Sequence, residues 1–498
     1  MQAVRARIFL FLVLILAVGT FFTGLNWGLP SRESDPILFG GRQPWTGRQI
    51  MDLAGAWEED GPRGADIAMH PLPGKRDQPI ELNATDAQRS EIVRRFRLYS
   101  AQPDEMITFR ALSRMKPSNL DLDPRLYQYG GLWIYPIGLL LKVGSALHLI
   151  TLRTDLAFYL DHPDAFARFY LVARAYSAAW GLLGVVVIYA IGRDWRGKVS
   201  TGITAAAVFA SMPVVIDLAH EAKPHLAGAV LVLLTIWCVM KFHRDGKSRW
   251  WILAGVCAGA SMGMVLTAYV SFLVLGGFLV CRQIPWRRRV QIVFSSGIVG
   301  IVTVMLANPY LFYNYLFRSQ VLHSNVGNYG TFYQPHFSWT GMLIAGRAIV
   351  DGCSPGLTAI GVLGSVIVLT DYVGCLLLAP AALVLIQLVL LADGKTAEYG
   401  RFGLVLDAAL VLFAAALVDR LKFSPRERAM GSALLIASTL YFGIRYDLNF
   451  HLDNRNDSTR RVAAQQIEKY KWQANTIAVW AEPAPYCLPP VDLFHWRL

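Results

Sequence analysis

Apolar runs of roughly 16–22 residues recur along this chain, and each is about long enough for a helix to cross a ~30 Å hydrocarbon core. Inside lipid every backbone amide has to be satisfied within its own segment, so helices are the expected spanning elements. A transmembrane β-barrel would instead show alternating strands of about ten residues, and none is visible. Only 16% of the 498 residues are charged and 54% are hydrophobic, whereas soluble domains run at about 25% charged. The expected fold class is all-α, a polytopic membrane helical bundle.

The clearest spans fall at about 7–25, 169–192, 199–216, 225–242, 290–308, 373–392, 403–419 and 429–444. The stretch 250–281 is too long for one span and reads as two short ones broken near 266–269. A further span at 355–370 brings the expectation to about eleven. Arg5 and Arg7 before an apolar run could introduce a signal peptide. No small-residue cleavage site follows, so the run is read as a retained first span.

A net charge of +12 would suggest nucleic acid in a soluble protein. Here the Lys and Arg sit in short connections between apolar runs, which points to membrane orientation and to no nucleic-acid partner. The positive-inside rule places 193–198, 241–249, 282–289 and 420–428 in the cytoplasm with the N-terminus. The segment 131–150 is apolar enough to be counted as a span, but a crossing there would put nearly every basic loop outside. It is therefore expected to be a juxtamembrane or re-entrant helix, the alternative being an ordinary span with the rule broken throughout. A transmembrane domain then covers 1–444, with a first outer loop at 26–168 carrying juxtamembrane helices, an outer turn at 217–225 and a second large outer loop at 309–354. An extracytoplasmic tail follows at 445–498.

Four sets of residues could carry chemistry. Pro103, Asp104 and Glu105 open an expected helix whose apolar stripe is Met106, Phe109, Leu112 and Met115. A carboxylate there could accept a proton from an acceptor hydroxyl; the bland reading is that acids favour helix N-termini. Arg174 lies inside an apolar run, where an arginine faces a polar cavity or an anion unless it snorkels to the interface. The turn from Asp217 to His225 is dense in titratable groups, with His220, Glu221, Lys223 and His225. Lys223 could pair with a phosphate, and the His and Glu residues could move protons or hold a metal, although a solvated turn fits equally well. The aromatic run 308–318 reads as an interfacial anchor. Asn83 and Asn456 match the short glycosylation pattern. Of six cysteines only Cys353 and Cys487 fall in polar stretches, and no metal-type spacing exists.

Taken in order, these motifs resemble the GT-C superfamily of membrane glycosyltransferases, of the protein O-mannosyltransferase and aminoarabinose-transferase type. The resemblance rests on Pro103-Asp104-Glu105, an aromatic segment from Tyr127 through Tyr129 to Pro136, and Arg174, Ser177 and Gly181. It continues with Gly192-Arg193, Ala222-Lys223-Pro224, Tyr399-Gly400-Arg401-Phe402 and the tail from Glu482 to Tyr486. It implies sugar transfer from a polyprenyl-phosphate donor to a lipid, glycan or protein acceptor at the outer face of a bacterial inner membrane. Asp104 would then be the base, or lie beside it, and Glu105 would orient it or bind acceptor or metal. Tyr129, Arg174, Glu221, Lys223, His225 and Arg401 would contact substrate. No cofactor is certain, and the resemblance leaves room for a divalent cation.

This chain departs from the family pattern in several places. About 75 residues separate the first span from Asp104, His225 stands where an Asp follows Lys-Pro, and Ala268 and Tyr129 replace lysines. Phosphate binding would rest on Arg174, Lys223 or Arg401. A lipid or solute transporter is the rival reading, disfavoured because no internal repeat is visible and the charges cluster in outer loops.

Overall fold

The computed structural model describes residues 2–60, 81–281, 283–320, 322, 335–368, 371–393, 400–453, 458–479 and 488–498. The chain is an integral, multi-pass helical bundle. Five helices are long and apolar enough to cross a membrane: Pro163–Arg196, His225–Asp245, Trp286–Ala307, Tyr372–Leu391 and Gly400–Arg420. Two bent pairs, Val199–Ala210 with Pro213–Ala219 (61°) and Trp339–Cys353 with Pro355–Ile367 (108°), bring the number to seven if each is one span. Shorter apolar helices are Arg7–Phe22, Gly131–Ala146 and Leu266–Val280. Ser248–Met264 and Pro425–Leu452 are helical as well, so every span expected from the sequence is a helix. The stretch 250–281 breaks where expected, at a 3₁₀ turn over Leu266–Tyr269.

Local chemistry sets the helix ends. Pro163 opens the longest helix, and Arg193 and Arg196 occupy its last turn, where cations suit the helix dipole. The chain then reverses at Gly197, with φ of 66°, a conformation glycine adopts without steric cost. Ser424 and Glu427 form a reciprocal capping box at the start of Pro425–Leu452. The 108° corner falls at Ser354, held at φ of 96° while its hydroxyl accepts from Leu357 N. That corner places a second apolar helix, Trp339–Cys353, inside the stretch read from sequence as outer loop. Ser248–Met264 and Trp286–Ala307 approach closely through small residues. A Cβ on Gly259 would lie 2.2 Å from the Gly300 carbonyl oxygen, the small-xxx-small packing familiar in membranes.

The basic connections gather at one end of the bundle. Arg196 and Lys198 both pair with Asp419, at 3.2 and 2.7 Å. Lys241 and Arg244 approach Asp194, at 3.6 and 3.8 Å. The opposite end carries the first large loop, which has an apolar core of its own around Leu98, Phe109, Trp133, Tyr170 and Trp496. Arg97 ties this loop together, donating to Asp35 at 2.8 Å and to the carbonyls of Trp45 and Leu160.

Both ends of Gly131–Ala146 are fastened at that loop-bearing end. Gly130 N donates to the Met264 carbonyl and Gly131 N to Asn308 Oδ1, each at 2.8 Å. Just beyond its far end, the Leu149 carbonyl accepts from Arg168 at 2.8 Å, near the start of the longest helix.

One sequence expectation needs correction here. Asn83 is 2% exposed and its side chain is spent on the C-terminal segment, donating to the Leu493 and Trp496 carbonyls and accepting from Leu498 N. Burial and those bonds remove it as a glycosylation acceptor in the folded chain. The helix after Glu105 packs Phe109 into the loop core. Asn456, Tyr399, Cys487 and the stretch 482–486 lie outside the described residues.

Candidate active site

Pro103–Glu105 forms a single 3₁₀ turn ahead of the helix Met106–Arg114, so the acidic pair precedes the α-helix instead of filling its first turn. With three residues per turn, neighbours there point ~120° apart. The two carboxylates accordingly go separate ways.

Glu105 turns inward. It is 0% exposed and accepts a fork of bonds from Arg174, Nη2 to Oε2 at 2.7 Å and Nε to Oε1 at 2.9 Å. Ala222 N donates to Oε1 at 2.6 Å, and the Ser100 hydroxyl donates to Oε2. Arg174, also 0% exposed, spends Nη1 on the carbonyls of Leu25 and Trp27, at 2.6 and 2.7 Å. A bidentate pair with its remaining donors and acceptors satisfied can hold two charges away from water. Arg174 lines neither of the two spaces described below, and the Glu105 oxygens are both taken up by these bonds. Their job is to lock the first loop, the first helix and the turn carrying Lys223 into one unit.

Asp104 faces the other way. Arg401 Nη1 donates to Oδ2 at 2.8 Å, and Lys223 Nζ stands 3.4 Å from the same oxygen. Lys223 also pairs with Glu221 at 3.4 Å, and Glu221 accepts from Gln102 Nε2 at 2.8 Å. Burial alone would raise the Asp104 pKa. The Lys223 ammonium, and then the Arg401 guanidinium, outweigh burial and hold the carboxyl well below the usual carboxylate range.

Beside this cluster lies a cavity of about 630 Å³, lined by Trp27, Gln102, Asp217, Glu221, Lys223 and Arg401 among others. Small-molecule sites commonly occupy about 300–1,000 Å³. A second, narrow cleft of about 30 Å³ shares Arg401 and adds His225, Phe402 and apolar residues such as Val265 and Val384. At that size it has room for water but not for an isoprenoid. His225 thus borders the site on the cleft side, edge-on to Phe402 and Tyr129 at 5.3 and 6.2 Å. Tyr129 is buried and lines neither space. His220 is buried as well, stacked on Phe450 at 4.2 Å with ring nitrogens against the Ile216 and Thr23 carbonyls. Among the described residues no group of three or more His, Cys, Asp or Glu is placed to hold a metal ion.

Of the residues singled out from sequence, the structure brings Glu221, Lys223 and Arg401 to the cavity and pairs Asp104 with the two cations. It places Glu105 and Arg174 behind them. Sequence reasoning passed over Gln102 and Tyr446 as cavity residues and named Asp217 only as the start of the titratable turn. The place of Gln102 directly before the Pro-Asp-Glu turn is the signal that could have marked it. Nothing comparable marks Tyr446. Pro309–Phe317 is helical with Tyr315, Leu316 and Phe317 exposed, and none of its residues reaches the cavity, which suits an anchor.

Residues 168–313 match the family model of the dolichyl-phosphate-mannose-protein mannosyltransferases. The match covers less than a third of the chain. It contains Arg174 and the whole turn Asp217 to His225, but neither Asp104 nor Arg401. The fold is similar to ArnT from Cupriavidus metallidurans bound to undecaprenyl phosphate, at 14% identity and a TM-score of 0.46, over 80% of this chain and 82% of that one. It is also similar to the archaeal oligosaccharyltransferase AglB from Archaeoglobus fulgidus, in complex with an inhibitory peptide and a dolichol-phosphate. There the identity is 11% and the TM-score 0.44, over 90% of this chain and 64% of AglB. No curated protein sequence matches the chain.

Proposed function

We propose that this GT-C-type chain transfers a sugar from a polyprenyl-phosphate donor to an acceptor hydroxyl or amine at the non-cytoplasmic face, with inversion. The observation that carries the reading is the meeting of Asp104 with Lys223 and Arg401 at 3.4 and 2.8 Å beside a 630 Å³ cavity. Residues about 120 and 300 positions apart in sequence bring one carboxylate and two cations into one cluster. This is what displacement at a sugar phosphate requires: cations for the leaving group and a base for the nucleophile.

In this reading the donor phosphate takes up Lys223 and Arg401 and loosens their hold on Asp104. The acceptor oxygen or nitrogen attacks the anomeric carbon, and its proton passes to Asp104. The bond from that carbon to the phosphate oxygen breaks, and the phosphate leaves with the electron pair, its charge met by Lys223 and Arg401. A single displacement inverts the configuration. No bound metal is needed for this balance.

The placement of the site on the outer face is supported by the basic connections clustering at the far end of the bundle and by the two-point fastening of Gly131–Ala146. Cysteines introduced one at a time at Leu120, Leu149 and Lys247, in a background with all six native cysteines replaced by serine, test it. A membrane-impermeant maleimide is expected to label positions 120 and 149 from outside and 247 only after permeabilisation. Labelling of 149 from the cytoplasmic side would make 131–150 a crossing and overturn the outer placement.

Activity itself is tested by incubating the purified chain in lipid nanodiscs with radiolabelled polyprenyl-phosphate sugars and a membrane extract as acceptor source. Transfer moves label out of the lipid donor. Label that stays on the donor, or crosses a vesicle bilayer still attached to it, would favour the transporter reading instead.

A further inference from the structure

The helices Ser248–Met264 and Trp286–Ala307 run side by side in the same direction. A Cβ on Gly255 would lie 2.5 Å from the Ser296 carbonyl oxygen, and one on Gly263 2.7 Å from Ala307 Cβ. At a rise of about 1.5 Å per residue, the two helices start within about one turn of each other, at the basic end of the bundle. Neither first turn holds an acid. Lys247 and Arg249 at one start, and Arg287 and Arg288 at the other, are exposed, and none of their side chains makes an ion pair with a described residue. The neighbouring groups are already spent. Asp245 accepts from Lys247 N and Trp250 Nε1 at 3.1 and 2.9 Å. Asp194 is shared by Arg193, Lys241 and Arg244. Arg289 turns back on the Ile284 and Leu279 carbonyls. Cations in a first turn oppose the helix dipole, so these four charges are uncompensated from within the chain. Directly beside them the helices show apolar side chains to the outside: Trp286, Val290 and Phe294 on one, Ile252 and Leu253 on the other.

We propose that Lys247, Arg249, Arg287 and Arg288 form a seat for an anionic phospholipid whose headgroup carries two phosphates. The cations come as two pairs from two adjoining helices, and arginine forks suit phosphate oxygens. The apolar strip beside them points to a lipid instead of a soluble anion, with acyl chains over Phe294 and Leu253 and the Trp286 indole at headgroup depth. Basic pockets between membrane helices recognise headgroups of this kind. The seat lies at the end of the bundle away from Asp104 and does not depend on the transferase reading. It has a structural consequence. At their other ends the same segments hold the start of Gly131–Ala146, through the Met264 carbonyl and Asn308 Oδ1. A lipid that fastens the two helices together steadies that anchor.

The test titrates the purified full chain, in a neutral detergent, with fluorescently labelled cardiolipin. Unlabelled cardiolipin is expected to displace the probe at a concentration about tenfold or more below that needed of phosphatidylcholine, with singly charged phosphatidylglycerol between them. Arg287→Gln with Arg288→Gln, and separately Lys247→Gln with Arg249→Gln, should each weaken cardiolipin binding about tenfold or more. Arg287→Lys with Arg288→Lys keeps the charge and should stay within about threefold of wild type. Arg426→Gln with Arg428→Gln removes as much charge from the α-helix Pro425–Leu452 and should also stay within about threefold. No preference for cardiolipin over phosphatidylcholine, or undiminished binding in either of the first two double variants, would overturn the seat. An equal loss in the Arg426 and Arg428 variant would overturn it too, by showing a diffuse attraction to the basic end. Phosphatidylglycerol binding as tightly as cardiolipin would refute the two-phosphate headgroup.

Discussion

Arg174→Leu is expected to leave little folded protein in the membrane. The substitution strips Glu105 of both guanidinium bonds and leaves the Leu25 and Trp27 carbonyls without their donor. Removing one partner of a buried pair typically costs about 3–5 kcal/mol, because the remaining charge stays buried and uncompensated. That is a large share of the ~5–15 kcal/mol that usually separates folded from unfolded chains. The measurement is the yield of monodisperse protein after detergent extraction, together with its thermal unfolding midpoint. Replacing both members at once, Arg174→Leu with Glu105→Leu, should recover part of the loss, since no lone charge is then left inside. If Arg174→Leu behaves like wild type in extraction and melting, the lock assigned to this pair is wrong.

Asp104→Asn is expected to do the reverse, sparing the fold while removing transfer. The Asp104 side chain is 27% exposed, and its amide replacement can still accept from Arg401 and Lys223. A general base contributes typically about 10²–10⁴-fold, so transfer should fall by that factor while extraction and melting stay near wild type. The sign of the pH effect follows from the cations. Because Lys223 and Arg401 hold the free carboxyl well below the ordinary range, it stays ionised as pH falls and is lost only on passing through that depressed value. The acid limb of kcat/KM, which reports the free protein, should therefore not appear above about pH 4 on account of Asp104. Once the donor phosphate shares the cations, the same carboxyl becomes more basic, and the acid limb of kcat should lie at higher pH than that of kcat/KM. Coincident limbs, or full activity in Asp104→Asn, would contradict its role as base.

Much of the bundle was legible because lipid imposes simple rules. Apolar length gave the spans, the break near 266–269 showed in the excess length of 250–281, and the clustering of Arg and Lys anticipated which connections share an end. The meeting of Asp104 with Lys223 and Arg401 was anticipated as well, through the ordered motifs and the shared compartment. What adjacency could not show is which of two neighbouring acids faces inward. That depends on a 3₁₀ turn whose rotation sends Glu105 to Arg174 and Asp104 to Lys223 and Arg401. Glu105, expected to orient Asp104 or bind acceptor or metal, has its carboxylate taken up by Arg174, Ser100 and Ala222 N. Likewise Asn83 looked like an exposed acceptor because its partners, Leu493, Trp496 and Leu498, lie some 410 residues away. Asp217 was visible in the titratable turn, yet only the cavity distinguishes it from a solvated acid. Tyr129, buried and edge-on to His225 at 6.2 Å, supports the cleft beside the site.

The most direct measurement is an experimental structure of the chain in nanodiscs with a bound polyprenyl phosphate. The account predicts phosphate density within hydrogen-bond reach of Lys223 Nζ and the Arg401 guanidinium, with Asp104 drawn away from at least one of them. Phosphate seated at the opposite, basic end of the bundle, with the Asp104 pairs intact, would contradict it.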